Sequence, residues 1–144
     1  MDIIADSSVW FEYFKGNDPY YKELQTHLNI LSIKIIDPII GEIVQGALNQ
    51  KEINFIREHI QYVPKIEIKD LFEKAGEYSF KNKLISKGIG LIDACLIYAT
   101  IETNSQLWTL DKKIINFLDK KYLYDWKKEP LIVKGAAGFW QLAW

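Results

Sequence analysis

Residues 90–111 read GLIDACLIYATIETNSQLWTLD, and the order of patterns within them decides the fold. Leu91 to Thr103 is apolar on nearly every face, which predicts a helix buried against other elements on several sides. Leu107, Trp108, Thr109 and Leu110 then form a short strand that ends at Asp111, and KKIINFL follows as another helix. Upstream the alternation recurs. Ile3, Ile4 and Ala5 form an apolar run ending at Asp6, with the amphipathic stretch Val9 to Phe14 directly behind it. Residues 19–28 read as a second helix, and Ile33, Ile35 and Ile36 as a β-branched strand that stops at Asp37-Pro38. Asp37 is read there as an N-cap with proline at the first helical position, and IIGEIVQGALN as the helix it starts. Lys51 to Ile60 forms a further helix, and residues 67–87 a long one closed by Gly88 and Gly90. Strands alternating with helices predict an α/β sandwich around a mostly parallel sheet.

The whole chain agrees with that size of architecture. Its 144 residues suit one domain, and 49% apolar with 26% charged residues supplies a core without the charge bias of disorder. A formal net charge of -1 excludes nucleic-acid binding by bulk basicity, so any such contact must use local patches. The single cysteine, Cys95, forms no internal disulfide and sits in an apolar run as a small buried thiol, which fits a reducing cytoplasm. The first residues lack a basic leader, and no run of 18 apolar residues occurs, so neither secretion nor membrane spanning is expected. His27 and His59 belong to no zinc-ligand spacing and are read as surface helix residues.

Two strands, IIAD and LWTLD, each deliver an aspartate at their carboxyl end, where open parallel sheets bind ligands. Asp6 and Asp111 are thereby expected to face one another across 105 residues of sequence. Asp93 interrupts LIDACLIYA with no lysine or arginine within four residues, and a buried carboxylate needs a partner such as a hard cation. Glu42 lies at the margin of the apolar arc of Ile39, Ile40, Ile43, Val44 and Ala47 and can point at the same crevice. Each acid also has a plainer reading. Asp6 and Asp111 can cap the helices behind them, with Ser7 sharing the first role. Asp93 can sit in a first helical turn and Glu42 in solvent. Their joint placement favours a site.

Taken in order, IIADSSVWFEYF, GEIVQGA and GLIDACLIYATIETNSQLWTLD resemble the PIN domain, most closely the VapC-type toxins of bacterial toxin–antitoxin pairs, over about residues 2–123. The resemblance implies a three-layer α/β/α sandwich and a metal-dependent ribonuclease whose four acids correspond to Asp6, Glu42, Asp93 and Asp111. Ser7 and Thr109 match its supporting hydroxyl positions. It further implies one or two Mg²⁺ or Mn²⁺ ions, held by Asp6 and Asp93 with Glu42 and Asp111 ligating directly or through water. A carboxylate set without Cys or His suits those ions. Water would attack the phosphorus, leaving a 5′-phosphate and a 3′-hydroxyl and making the histidines dispensable.

An RNA substrate, a cognate protein antitoxin and a homodimer follow from the same resemblance. Two departures stand out: TLD lacks the basic residue many relatives carry before the aspartate, and nothing after Tyr124 matches. Residues 1–124 are therefore read as the nuclease domain and 125–144 as an extension of open origin, a final strand at Leu131–Val133 plus a tail that is either a docking segment or a cloning scar. Seven lysines stand between Lys112 and Lys134 against Asp119, Asp125 and Glu129, while Lys81, Lys83 and Lys87 form a second group. Lys81, Lys83, Lys87, Lys112 and Lys113 are the candidate phosphate contacts, weighed evenly against simple solvation. With 17 lysines and only Arg57, diffuse attraction to RNA shape is favoured over base reading. Trp10, Phe11, Tyr13 and Phe14 crowd one short helix, and those not in the core would offer an apolar partner surface. Two other readings remain open: an RNA-processing nuclease without an antitoxin, and a non-catalytic RNA-binding module. A receiver-type phosphoacceptor domain fits less well, because no lysine follows a strand where one is required.

Overall fold

In the computed structural model, residues 1–127 are described in full and, beyond them, the backbone of Leu131–Lys134 and Trp140–Ala143. Three short strands form a parallel sheet in the order β2-β1-β3, where β1 is Ile3–Ala5, β2 is Ile33–Lys34 and β3 is Gln106–Trp108. The register pairs Ile3 with Ile33 on one side and with Gln106 on the other, so that Ala5 stands beside Trp108 at the carboxyl end. β1, buried along its whole length between the other two strands, is the axis of the sheet.

Single bridges widen this sheet at both edges. Ile35 pairs in parallel with Lys65, and Leu107 with Leu123. Tyr124 N–H donates to the Leu107 carbonyl at 2.8 Å, so the edge beside β3 is filled by residues 123–124. The strand expected at Leu131–Val133 does exist, as β4 (Leu131–Lys134), but it pairs antiparallel with β5 (Trp140–Ala143) in a separate two-stranded sheet.

The helices are α1 (Ser7–Phe14), α2 (Tyr20–Asn29), α3 (Asp37–Gln45), α4 (Gln50–Ile60), α5 (Leu71–Asn82), α6 (Leu91–Glu102) and α7 (Lys112–Phe117). They lie on both sides of the sheet, the α/β/α arrangement the sequence resemblance implied. The apolar α6 buries Ala94, Cys95, Leu96, Ile97, Ala99 and Thr100, as its lack of a polar face requires. It packs on α5 and on α3. Thr100 is accommodated there because its hydroxyl donates to the Leu96 carbonyl.

Three sequence expectations change. The helix predicted over 67–87 is shorter, since Asp70 and Lys83 both take left-handed backbone angles and a separate 3₁₀ turn follows at Ile85–Lys87. That break turns Leu84 fully into the core. Asp37 is not the N-cap of α3. Ile36 takes that place, and the Asp37 carboxylate pairs with Lys65 at 2.8 Å. His27 is no surface residue: it is 6% exposed, and its ring nitrogens meet Ser32 Oγ and Tyr124 OH, each at 2.8 Å. His59 is exposed as expected. In α1, Trp10 and Tyr13 are core residues and Phe14 stacks on Trp10, so little of that aromatic cluster is surface.

Candidate functional site

β1 and β3 are parallel neighbours, so their carboxyl ends arrive side by side, and the next residues but for Thr109 and Leu110 are Asp6 and Asp111. Asp6 is 4% exposed and cannot reach solvent for its hydrogen bonds. Its Oδ1 accepts from Ser7 N–H at 2.6 Å and faces Ser7 Oγ at 3.3 Å. Its Oδ2 accepts from Thr109 Oγ1 at 2.7 Å and from Ser8 Oγ at 3.2 Å. Asp6 is therefore the N-cap of α1, as the plainer reading had it, and at the same time a buried anion locked in one orientation.

Thr109 and Ser8 also tie the two strand ends together. Thr109 Oγ1 accepts from Asp111 N–H at 3.1 Å, and Ser8 Oγ accepts from Leu110 N–H at 3.3 Å. Asp111 in turn caps α7, accepting from Lys113 N–H at 2.8 Å. Sequence reasoning singled out Ser7 and Thr109 but missed Ser8. The second hydroxyl of Asp-Ser-Ser is visible in the sequence, whereas its partner Leu110 lies 102 residues away.

Glu42 enters from α3 and Asp93 from the first turn of α6. The helix placement gives Asp93 a favourable dipole, as its plainer reading supposed, yet other forces dominate. Burial pushes its pKa up to about 6, and the charges of Asp6, Asp111 and Glu42 add to that push, while Lys113 opposes it. The charges of three acids thus act on the fourth, Asp93. Burial also raises the Glu42 pKa, the Ser7 hydroxyl draws it down, and Asp6 raises it again. Glu42 Oε1 is buried with no hydrogen-bond partner among the described residues. Such an orphaned carboxylate oxygen is costly unless something outside the chain pairs with it.

Among the described residues no three of His, Cys, Asp or Glu converge closely enough to cage an ion by themselves as the side chains stand. The donor set nonetheless fits a hard cation that keeps its waters, because Mg²⁺ is commonly held through one or two carboxylates with water completing the shell. Neither histidine belongs to this crevice: His27 is bound to Ser32 and Tyr124, and His59 packs on Phe55. Of the candidate lysines, Lys81 pairs with Glu77 at 2.8 Å and Lys87 donates to the Asn82 carbonyl at 2.8 Å. Lys83 terminates α5 with a φ of 54°. Among these, Lys113 is the one whose charge is seen to act on Asp93.

No protein-family model matches the sequence. The chain is similar to Beta-galactosidase-1-like protein 3 of Rattus norvegicus, 28% identical over 107 residues that cover 70% of this chain and 17% of that protein. It spans about a sixth of that relative's length. Among solved structures it is similar to VapBC2 from Rickettsia felis bound to a promoter DNA fragment, with a TM-score of 0.66 and 18% identity over 85% of this chain and 96% of that one. VapBC-1 from nontypeable Haemophilus influenzae gives a TM-score of 0.62 and 17% identity over 89% and 100% of the two chains. PAE2754 from Pyrobaculum aerophilum gives 0.60 and 12% over 81% and 84%. The fold is thus the PIN-like α/β fold found in VapBC structures.

Proposed function

We propose that this protein is a divalent-metal-dependent endoribonuclease and the toxin of a VapBC-like toxin–antitoxin pair. The observation that carries the reading is that the charges of Asp6, Glu42 and Asp111 all act on Asp93, in a fold that matches VapBC structures. Capping accounts for Asp6 and Asp111 but not for Glu42 and Asp93, and mutually repelling acids with a buried unpaired oxygen cost stability that a ligand of opposite charge would offset.

In this reading Asp6 and Asp93 hold the first Mg²⁺ or Mn²⁺, with Glu42 and Asp111 completing the site directly or through water. A divalent ion there supplies Lewis acidity, activating water and offsetting charge on the phosphoryl oxygens. Ser7, Ser8 and Thr109 fix the Asp6 rotamer, so the acid needs no rearrangement when it binds. Neither histidine is required, since the attack uses water and not the RNA 2′-hydroxyl.

An antitoxin partner is supported by the VapBC neighbours and by an apolar groove of about 470 Å³ lined by Ile40, Val44, Ile56 and Ile60 with Arg57 and Lys65 at its rim. Self-association is supported by Phe80 and Ile85, 83% and 85% exposed around the end of α5. None of the described helices is long and apolar enough to cross a membrane; a cytoplasmic location accords with the buried free thiol of Cys95.

The test is cleavage of structured RNA by the protein freed of any bound partner, in Mg²⁺, in Mn²⁺ and in EDTA, beside Asp93→Ala. Metal-dependent cuts that vanish in the variant support the reading. Cutting by Asp93→Ala, or cutting in EDTA, would sink it.

A further inference from the structure

A negatively charged phosphodiester must enter a crevice already lined by four carboxylates, and one divalent ion does not neutralise that set. A cation of the chain beside the crevice would lower the cost of bringing the phosphate in. Lys113 is built for that place. Its backbone N–H is fixed on Asp111 at 2.8 Å, so the residue starts from the wall of the site. Its side chain lies along Gly88: a methyl group placed there would stand 3.3 Å from Lys113 Cδ and 3.4 Å from both Cε and Nζ. Gly88 has a φ of +75° and leads from the 3₁₀ turn towards α6, the helix that carries Asp93. The bare glycine backbone therefore leaves room for the lysine stem, whose charge acts on Asp93.

The ammonium is also uncommitted. Lys22, Lys65 and Lys81 each pair with a carboxylate, whereas Lys113 makes no ion pair among the described residues. Its charge still reaches Asp93, where it opposes the effect of the three other acids. A cation held near an anionic cluster, but not collapsed onto it, leaves room for an anion between the two.

We propose that Lys113, seated on Gly88, is the positioning residue that receives the phosphate of the RNA substrate at the acid crevice. This rests on the nuclease reading and adds to it the residue that admits the substrate. It separates Lys113 from Lys81 and Lys87, whose ammonium groups are already engaged.

The experiment compares wild type, Lys113→Met and Lys113→Arg in two assays on the full chain. One is steady-state cleavage of the structured RNA that the wild type cuts; the other is Mn²⁺ binding without RNA, followed by the electron paramagnetic resonance signal of free Mn²⁺. Lys113→Met is expected to lower kcat/KM by about 10–100-fold, mostly through KM, with Lys113→Arg within about threefold of wild type. Mn²⁺ binding should move the other way, tightening about two- to fivefold in Lys113→Met because a like charge is gone. A merely structural lysine would weaken both. Unchanged cleavage in Lys113→Met, or a loss that tracks weaker Mn²⁺ binding, overturns the proposal. If wild type binds Mn²⁺ and cuts no RNA, the nuclease reading fails; the phosphate role then falls with it, although tighter Mn²⁺ binding by Lys113→Met would still place the lysine at the acids.

Discussion

At the amino end of the sheet Glu23 is 5% exposed, and at the carboxyl end Glu42 buries a carboxylate oxygen, yet the two acids live in opposite circumstances. Glu23 Oε1 accepts from the Tyr124 hydroxyl and faces His27 Nε2 at 3.4 Å, and His27 passes the network on to Ser32. Ser32 itself holds β1 through its carbonyl, which accepts from Ile3 N–H at 2.8 Å. Burial and the Glu23 contact push the Tyr124 phenol up, so it stays a neutral donor. Every member of this group has a partner inside the chain. Around Glu42 the Ser7 hydroxyl is set against the charges of Asp6 and Asp93, and the buried Oε1 has no partner among the described residues. Buried charge that is internally matched holds a fold together; buried charge that is internally opposed prepares it to bind.

The hardest test of that contrast is to remove one acid from the crevice. Asp93→Ala should lose RNA cleavage by at least about 10³-fold in Mg²⁺ or Mn²⁺, measured as kcat/KM, while its metal-free melting temperature equals or exceeds that of wild type. A destabilised Asp93→Ala would instead align the crevice with the internally matched group. The opposite outcome is expected at the other end. His27→Ala removes the ring that joins Ser32 to Tyr124, leaves a cavity, and should cost about 3 kcal/mol in urea unfolding, with cleavage by the folded fraction preserved.

Metal should separate the two regions as well. Saturating Mn²⁺ at about 100 times its dissociation constant is expected to stabilise wild type by roughly 2.7 kcal/mol in chemical denaturation and to leave Asp93→Asn nearly unmoved. A smaller effect follows from pH. The Asp93 pKa in the folded state, about 6, lies above its ordinary value of 3.8, so the cost of ionising it is fully present above pH 6. That cost is relieved as pH falls through the window from about 6 to 3.8. Metal-free wild type should therefore gain stability relative to Asp93→Asn between pH 7 and pH 5, read as the difference of their unfolding midpoints. Smallest of all is His59→Ala, whose exposed ring packs on Phe55 and which should leave cleavage within about twofold.

The legibility of these regions in the sequence differed for a physical reason. Asp6 and Asp111 announced themselves because an apolar strand that stops at an acid is a local pattern, and parallel pairing then fixes where both ends arrive. Asp93 was legible because no basic residue near it in sequence could neutralise it. His27 was misread for the converse reason: its partner Tyr124 is 97 residues away, and a lone histidine on an amphipathic helix looks like a surface one. The helix expected over 67–87 followed a correct local propensity, but burying Leu84 required the chain to turn at Lys83. Asp37 beside Pro38 carried a cap signature, and Lys65, brought alongside by the Ile35 bridge, drew its carboxylate into an ion pair.

By itself, then, the sequence determined what periodicity and short-range chemistry can encode: the alternation of strand and helix, the buried α6, and the aspartates Asp6 and Asp111 that follow two of the strands. Tertiary structure alone decided which polar groups are answered from within. Ser8 on Leu110, Tyr124 on Glu23 and Lys113 on Gly88 are contacts between residues far apart in the chain, and their geometry follows from how the sheet and helices pack. A hydrogen bond or a close seat is settled within a few tenths of an ångström, a precision that local propensity does not carry and close packing does.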